Sequence, residues 1–303
     1  EQIIADLTDA EQYAPDNDNS DRTKMTKTVA QAMLAKVYAE KEVQDYDKVI
    51  AYADKVMNTT GVELEDSYET LWGYDETAKD CMKRNTKEGI LEVHWTTGSG
   101  NWETWMYGRQ LDNWDYYFTW AKWITPSRDI INDFDKEGDE VRKNQAIVYY
   151  ACTWSNYYPA SNYPFMYKLR SSYNNIYWVR LADIILMKAE AEAYKGNLAE
   201  SAKLVNQIRK RAKLKELTSD KTGSKESMIE AVLHERRLEL AFEGERWFDL
   251  CRNNKVEKYL NGIDNRDSGR IRQVKQFDSN SYLLPIPQTA LDQNTNLEQN
   301  PGY

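Results

Sequence analysis

The stretch from Tyr177 to Ala212 decides the fold, and it reads YWVRLADIILMKAEAEAYKGNLAESAKLVNQIRKRA. Its first half repeats apolar residues three and four positions apart, which is the spacing of one helix face. The pair Gly196-Asn197 interrupts this pattern, because glycine readily adopts the left-handed conformation that ends helices. The stretch therefore predicts a helix over about 177–194, a tight turn, and a second helix over about 198–212.

A similar hairpin is predicted nearer the start of the chain, over about 26–57. Its first helix ends near Glu42, and Asp45 is a suitable N-cap for the second helix. Both hairpins carry small residues where the helices would meet, which loosely follows the tetratricopeptide pattern. With a third long helix predicted over 225–243, the fold class is mainly all-α, with tetratricopeptide-like hairpins.

The region between the hairpins has a different character. Ile90 to Val93 is a strand candidate, Asn101 to Trp123 is a long loop rich in aromatic residues, and Pro126-Ser127 is a helix start. We therefore predict a single domain over 1–303 in which long aromatic loops are inserted between helical hairpins. Its predicted parts are a hairpin over 23–60, a loop-rich ligand-binding insertion over 62–175, and a second hairpin with a C-terminal scaffold over 176–303.

Composition excludes several classes of protein. The net charge of −9 argues against a nucleic-acid partner, because phosphate binding needs clustered Lys and Arg. No apolar run approaches the roughly 18 residues that span a bilayer, so no transmembrane helix is expected. Three scattered cysteines and two distant histidines suit neither a disulfide framework nor a metal centre. We predict no cofactor and no metal.

Aromatic residues are unusually frequent and unevenly placed. The chain has 10 Trp and 21 Tyr, and eight of the Trp lie between Trp95 and Trp178. The densest part, from Gly98 to Tyr117, reads GSGNWETWMYGRQLDNWDYY. Sugars stack their C–H faces on such rings, while their hydroxyl groups bond to neighbouring polar side chains. The predicted ligand-binding residues are Trp102, Trp105, Tyr107, Arg109, Asp112, Asn113, Trp114 and Tyr116.

The other aromatic residues receive different predictions. We assign Trp72, Trp178 and Trp247 to packing, and we expect Trp95, Trp120 and Trp123 to lie in the core beside regular elements. The cluster from Trp154 to Tyr163 is poor in charge, and both a glycan and a protein partner remain open for it.

The run from Glu235 to Arg252 is ERRLELAFEGERWFDLCR, and it resembles the most characteristic motif of the SusD/RagB family of nutrient-binding outer-membrane lipoproteins. Further stretches resemble the family in the same order. They are Asp6–Thr8 with Arg22–Lys24, Ser127–Phe134, Val179–Ala212, and the ending LLPIPQTALDQNTNLEQNPGY.

This resemblance implies a SusD-like α/α superhelix and a function. Members bind oligosaccharide or polysaccharide at the cell surface without enzymatic activity, and they deliver it to a SusC-like TonB-dependent transporter. They are held at the outer membrane by a lipid anchor. Because family members are usually longer and this chain begins at Glu1 without a signal segment, we expect the lipidated cysteine and roughly the first third to lie outside this sequence.

Two alternatives remain open. A glycoside hydrolase needs two carboxylates beside a sugar cleft, and the aromatic region from 95 to 127 holds only Glu103, Asp112 and Asp115. A tetratricopeptide-type interaction scaffold would use the same loops for protein alone. Nothing in the sequence selects starch, xylan, mannan or a host glycan as the ligand.

The family motif itself predicts a structural role. Glu235, Glu239 and Glu243 recur every four residues, which places them on one helix face. We expect ion pairs between this row and the arginines of the motif, which are Arg236, Arg237 and Arg246. Trp247, Phe248 and Leu250 are expected to fill the core beside it.

Overall fold

The computed structural model describes residues 1–75, 77–78, 80–95, 124–152, 155–171, 174–269 and 275–303. Its helices are α1 (Gln2–Tyr13), α2 (Lys27–Ala39), α3 (Tyr46–Met57), α4 (Tyr68–Trp72), α5 (Arg128–Glu137), α6 (Glu140–Ala146), α7 (Leu181–Lys195), α8 (Leu198–Arg211), α9 (Ser219–Thr222), α10 (Lys225–Glu239), α11 (Arg246–Arg252), α12 (Val256–Leu260), α13 (Ile263–Arg266) and α14 (Gln288–Gln293). Its strands are β1 (Tyr74–Asp75), β2 (Asp80–Cys81), β3 (Gly89–Val93), β4 (Ile147–Tyr150), β5 (Tyr163–Met166) and β6 (Ile176–Arg180).

Two helical hairpins form the frame, as predicted. In α2–α3, the Asp45 side chain caps the second helix by accepting from the Lys48 N–H. In α7–α8, Gly196 ends the first helix with a left-handed φ of 85°. Helix α3 packs against α7, and α10 packs against both α7 and α8, so the mainly α, tetratricopeptide-like fold class is confirmed.

The main core lies where these helices meet. Val29 and Ala53 from the first hairpin, Leu186 from α7 and Val232 from α10 belong to one buried apolar cluster and have no exposed surface. Short helices owe most of their stability to such a buried face rather than to their intrinsic propensity. The hairpins are therefore stabilised chiefly by each other.

Sheet is sparse among the described residues, and it consists of three antiparallel pairs, β1–β2, β3–β6 and β4–β5. Strand β3 confirms the prediction at 90–93. Strand β6 replaces the first turn of the helix predicted from Tyr177, because these residues pair with β3 and the helix begins only at Leu181. This difference decides where Trp178 lies.

The helix predicted over 225–243 ends four residues early, at Glu239. Beyond it, Phe242 has a φ of 67° and Gly244 a φ of 87°, so the chain turns sharply before α11. Within this turn Glu243 contacts two buried cations, Lys168 and Arg180. The segment from Leu240 to Glu245 is called the motif turn below.

Candidate functional site

A cleft of about 870 Å³ opens beside the motif turn, and we call it the Trp178 cleft. Its lining comes from β6, from the residues after β5, and from the motif turn with the first residues of α11. Ile124, Trp178 and Phe248 contribute exposed apolar surface to it. The volume lies within the roughly 300–1,000 Å³ range of small-ligand sites.

Trp178 reaches the cleft because β6 is a strand. Successive side chains of a strand point to opposite faces, so Tyr177 and Val179 are buried while the Trp178 side chain is 61% exposed. The register with β3 also shifts here, since Val179 pairs with Leu91 and Tyr177 with Glu92. Trp178 is the extra residue of this bulge, a feature that commonly redirects a side chain beside a binding site.

Phe248 forms another wall of the cleft, on the first turns of α11. Leu250 is fully buried and anchors this short helix, whereas Phe248 is 54% exposed. Large apolar side chains that are exposed together on a concave surface are typical of binding sites. Trp178 and Phe248 together therefore offer aromatic surface to a ligand.

The floor of the cleft holds a buried cation. The Lys168 ammonium donates to Glu243 Oε1 at 2.5 Å and to the Glu239 carbonyl oxygen at 3.1 Å. It also lies 4.7 Å from the centre of the Trp72 ring, a cation–π contact. Burial lowers the pKa of Lys168 to about 8, although Glu243 opposes this effect.

A buried ion-pair network supports the floor. Arg180, at the end of β6, donates to Glu243, to Glu88 and to Glu239. Arg142 and Arg211 also bind Glu239. Burial alone would raise the pKa of Glu239, but the three guanidinium groups outweigh it and hold that pKa well below its usual range. The network holds β6 and the motif turn in one arrangement.

Glu245 lies in the cleft lining and is paired through Lys36. The Lys36 ammonium is 2.8 Å from Glu245 Oε2 and 2.7 Å from Asp183 Oδ2. Burial and the neighbouring Asp183 carboxylate raise the pKa of Glu245. Arg236 also binds Asp183 and lies 4.0 Å from Glu245, so two cations serve the two carboxylates at this edge.

The predicted ligand-binding residues, from Trp102 to Tyr116, lie outside the described residues, as do Trp120, Trp123 and Trp154. Ile124, the first described residue after that segment, is 55% exposed and lines the Trp178 cleft.

Two packing predictions were wrong. The sequence pattern predicts that Trp178 packs inside a helix, but its strand conformation exposes it. The same pattern predicts that Phe248 lies in the core beside Leu250, but it faces the cleft. The missed signal is the alternation of Ile176-Tyr177-Trp178-Val179, which contains β-branched and aromatic residues typical of a strand. Trp72 is buried as predicted, and Trp247 is half-buried against Phe277.

The second aromatic cluster forms a small core of its own. Tyr163 is buried with Cys152 and Phe165, and Tyr157 and Tyr158 pack against them. These tyrosines therefore pack around β5, and Tyr157 and Tyr158 stay partly exposed. Trp154 belongs to the same sequence cluster and lies outside the described residues.

The acidic row of the motif is paired with other arginines than those predicted. Arg142 and Arg209 bind Glu235, and Arg180 binds Glu239 and Glu243. The three arginines of the family motif bind other groups. Arg236 binds Asp183 and Asp249, and Arg237 binds Asp129 and Asp133. Arg246 donates to the Leu233 carbonyl oxygen. Adjacent residues on a helix point in different directions, so they meet different partners.

The described residues form neither a metal centre nor, at Cys81 and Cys251, a reactive thiol. In the described part of the chain, no three His, Cys, Asp or Glu side chains are grouped so that they could hold a metal ion. Burial raises the pKa of the Cys81 thiol to about 12 and that of Cys251 to about 11. These two thiols are poor nucleophiles at neutral pH, since the thiolate is the reactive form.

The profile of the SusD family matches residues 87–303, which contain most of the lining of the Trp178 cleft, the motif turn and the second hairpin. This chain belongs to the SusD family. The family predicted from the run Glu235–Arg252 is thereby confirmed. Among the described helices of this SusD-family chain, none has the length and apolar character needed to cross a membrane.

Relatives extend the match over the whole chain. SusD-like protein P2 of Formosa agariphila is 28% identical over an alignment that covers 100% of this chain and 64% of that protein. SusD-like protein P38 of the same organism is 36% identical over 43% of this chain and 25% of its own length. The chain thus spans less than two thirds of these curated relatives.

Solved structures share the fold. A SusD superfamily protein from Bacteroides vulgatus superposes with a TM-score of 0.75 at 24% identity, over 99% of this chain and 67% of that protein. A laminarin-binding SusD-like protein gives a TM-score of 0.73 at 24% identity, over 100% of this chain and 68% of its own.

Proposed function

We propose that this SusD-family chain is a non-enzymatic glycan-binding protein of the cell surface. It captures oligosaccharide and delivers it to a SusC-like TonB-dependent transporter in the outer membrane, where a lipid attached outside this sequence anchors it. The observation that carries the proposal is the exposed Trp178 ring in a cleft with Phe248 and Ile124. The laminarin-binding structural neighbour supports a carbohydrate ligand.

The proposed site has two parts. One is the Trp178 cleft, and the other is the segment that carries Trp102, Trp105, Tyr107, Arg109, Asp112, Asn113, Trp114 and Tyr116. Aromatic rings that stack on sugar faces supply area at low conformational cost, and polar neighbours select hydroxyl positions.

Hydrolysis is not part of the proposal. A glycosidase needs one carboxylic acid and one free carboxylate facing the sugar. In the described lining, Glu243 accepts from Arg180 and Lys168, and Glu245 is paired with Lys36. Both carboxylates of the described lining are thus already bound to cations, and neither is the free carboxylate that this chemistry needs. Overnight incubation with a bound oligosaccharide should return it intact on chromatography, and shorter products in proportion to protein would contradict this.

A glycan panel tests the proposal directly. Starch, laminarin, xylan and mannan oligosaccharides are titrated against the 303-residue chain, with Trp fluorescence and native gel retardation as readouts. At least one glycan should shift the emission, because a sugar stacked on a ring replaces water around it. A protein that responds to no glycan would instead be an interaction scaffold.

Delivery needs a separate measurement. Co-expression with the candidate transporter, followed by extraction from the outer membrane, should recover both proteins in one complex. Recovery of the transporter without this chain would contradict the partnership, but it would not affect the proposal of glycan binding.

A further inference from the structure

The charges that line the Trp178 cleft are unbalanced. Its described lining contains one cationic side chain, Lys168, and two carboxylates, Glu243 and Glu245. The Lys168 side chain is fully buried and already donates to Glu243 and to the Glu239 carbonyl. The cleft therefore presents to a ligand no described cation that is free to pair.

The cations that surround the two carboxylates are already engaged. Glu243 is held by Arg180 and Lys168. Glu245 binds Lys36, which also binds Asp183, and it lies 4.0 Å from Arg236, whose guanidinium group already binds Asp183 and Asp249. A negatively charged group on a ligand would lose its water in this cleft and would meet no free cation among the described lining residues. Burial of such an unpaired charge is strongly unfavourable. The net charge of −9 on the chain adds a repulsive field at longer range.

An uncharged sugar avoids these costs. Its hydroxyl groups can donate to carboxylate oxygens, while its C–H face contacts Trp178 and Phe248. We infer that the Trp178 cleft selects uncharged oligosaccharides and rejects uronate-containing or sulfated ones. This inference rests on the proposed glycan-binding function and names the substrate class.

Matched ligands test the inference. Hexasaccharides of starch, laminarin and mannan are each compared with a counterpart in which the primary alcohols are oxidised to carboxylates. The backbone and linkage are then unchanged, and only the charge differs. At low ionic strength a neutral hexasaccharide that binds should do so at least about fivefold more tightly than its oxidised counterpart. This ratio of affinities should fall in 0.5 M salt, because salt screens the repulsion.

Two variants locate the source of the discrimination. Glu245→Gln removes one carboxylate from the cleft, and Glu226→Gln removes one from the opposite end of α10, where Glu226 is exposed. The ratio of the affinity for the neutral hexasaccharide to the affinity for its oxidised counterpart should fall at least about twofold in Glu245→Gln. The same ratio should stay unchanged in Glu226→Gln. Equal narrowing in both would show that overall charge, and not the cleft, discriminates, which overturns the inference.

The remaining outcomes separate this inference from the proposed function. If an oxidised member binds as tightly as its neutral partner or more tightly, the charge selection is wrong and glycan binding stands. If no member of any pair perturbs Trp emission, both are overturned.

Discussion

The Arg180 guanidinium clasps the Glu243 carboxylate with two hydrogen bonds, from Nε to Oε2 at 2.7 Å and from Nη2 to Oε1 at 2.8 Å. Arg180 ends the strand that exposes Trp178, and Glu243 lies in the motif turn that leads to Phe248. Two walls of the Trp178 cleft are therefore joined by one bidentate pair, the strongest geometry for such a bond. This pair therefore helps to fix the two walls relative to each other before a ligand binds.

Trp178→Ala should weaken glycan binding by about tenfold, which corresponds to ~1.4 kcal/mol. The melting temperature should change little, because the ring is largely exposed and supports little packing. Isothermal titration and thermal melts measure the two effects. Tyr13→Ala, at an exposed aromatic residue of α1, is the matched control and should alter neither. A Trp178→Ala protein that binds normally would place the site elsewhere.

Trp114→Ala should also weaken glycan binding by at least about tenfold, since loss of a central aromatic platform commonly costs ~2 kcal/mol or more. We expect an unchanged melting temperature. Phe134→Ala provides the contrast, because Phe134 is fully buried and its truncation should destabilise the fold by ~3–5 kcal/mol while intact molecules still bind. If Trp114→Ala melts the protein and spares binding, that ring belongs to the core.

Arg180→Met should destabilise the fold by about 3–5 kcal/mol, because removing one partner leaves buried carboxylates uncompensated. Glu239, Glu243 and Glu88 would all lose a donor. Urea unfolding measures the change. Lys203→Met is the control, since the Lys203–Glu200 pair is exposed and such pairs contribute little. Equal stability of the two variants would mean that the network relaxes without Arg180.

Acid should unfold the protein through the ion-paired carboxylates. A hydrogen bond from His234, with help from Arg209, lowers the pKa of Glu137 to about 2, against the opposing effect of burial. The pKa of Glu239 is also lowered. A carboxyl with a depressed pKa in the folded state stabilises it fully above its unfolded pKa of about 4.5 and loses this contribution as the pH falls toward 2.

Thermal melts across this pH range check the prediction. The melting temperature should fall steadily from about pH 4.5 downward, and Glu137→Gln should make the fall less steep because one titrating carboxyl is gone. A melting temperature that stays level between pH 5 and pH 2.5 would contradict it.

The helical frame could be predicted from the sequence because its signals are local. Asp45 caps its helix by bonding to a residue three positions away, and Gly196 ends another through its own backbone conformation. Apolar spacing then fixes which face of each helix is buried. The family motif was equally readable, since it is a contiguous run of residues.

The site was harder to predict because its determinants are distant in sequence. Whether Ile176–Arg180 is a helix turn or a strand depends on pairing with β3, and only the strand exposes Trp178. The partners of Glu235, Glu239 and Glu243 come from other elements, because the helix points its neighbouring arginines away from them. The sequence by itself thus determined the hairpins, the family and an aromatic-rich segment. The tertiary structure decided which aromatic ring lines the cleft and which carboxylates and arginines form ion pairs. Both depend on contacts between residues that are remote in sequence.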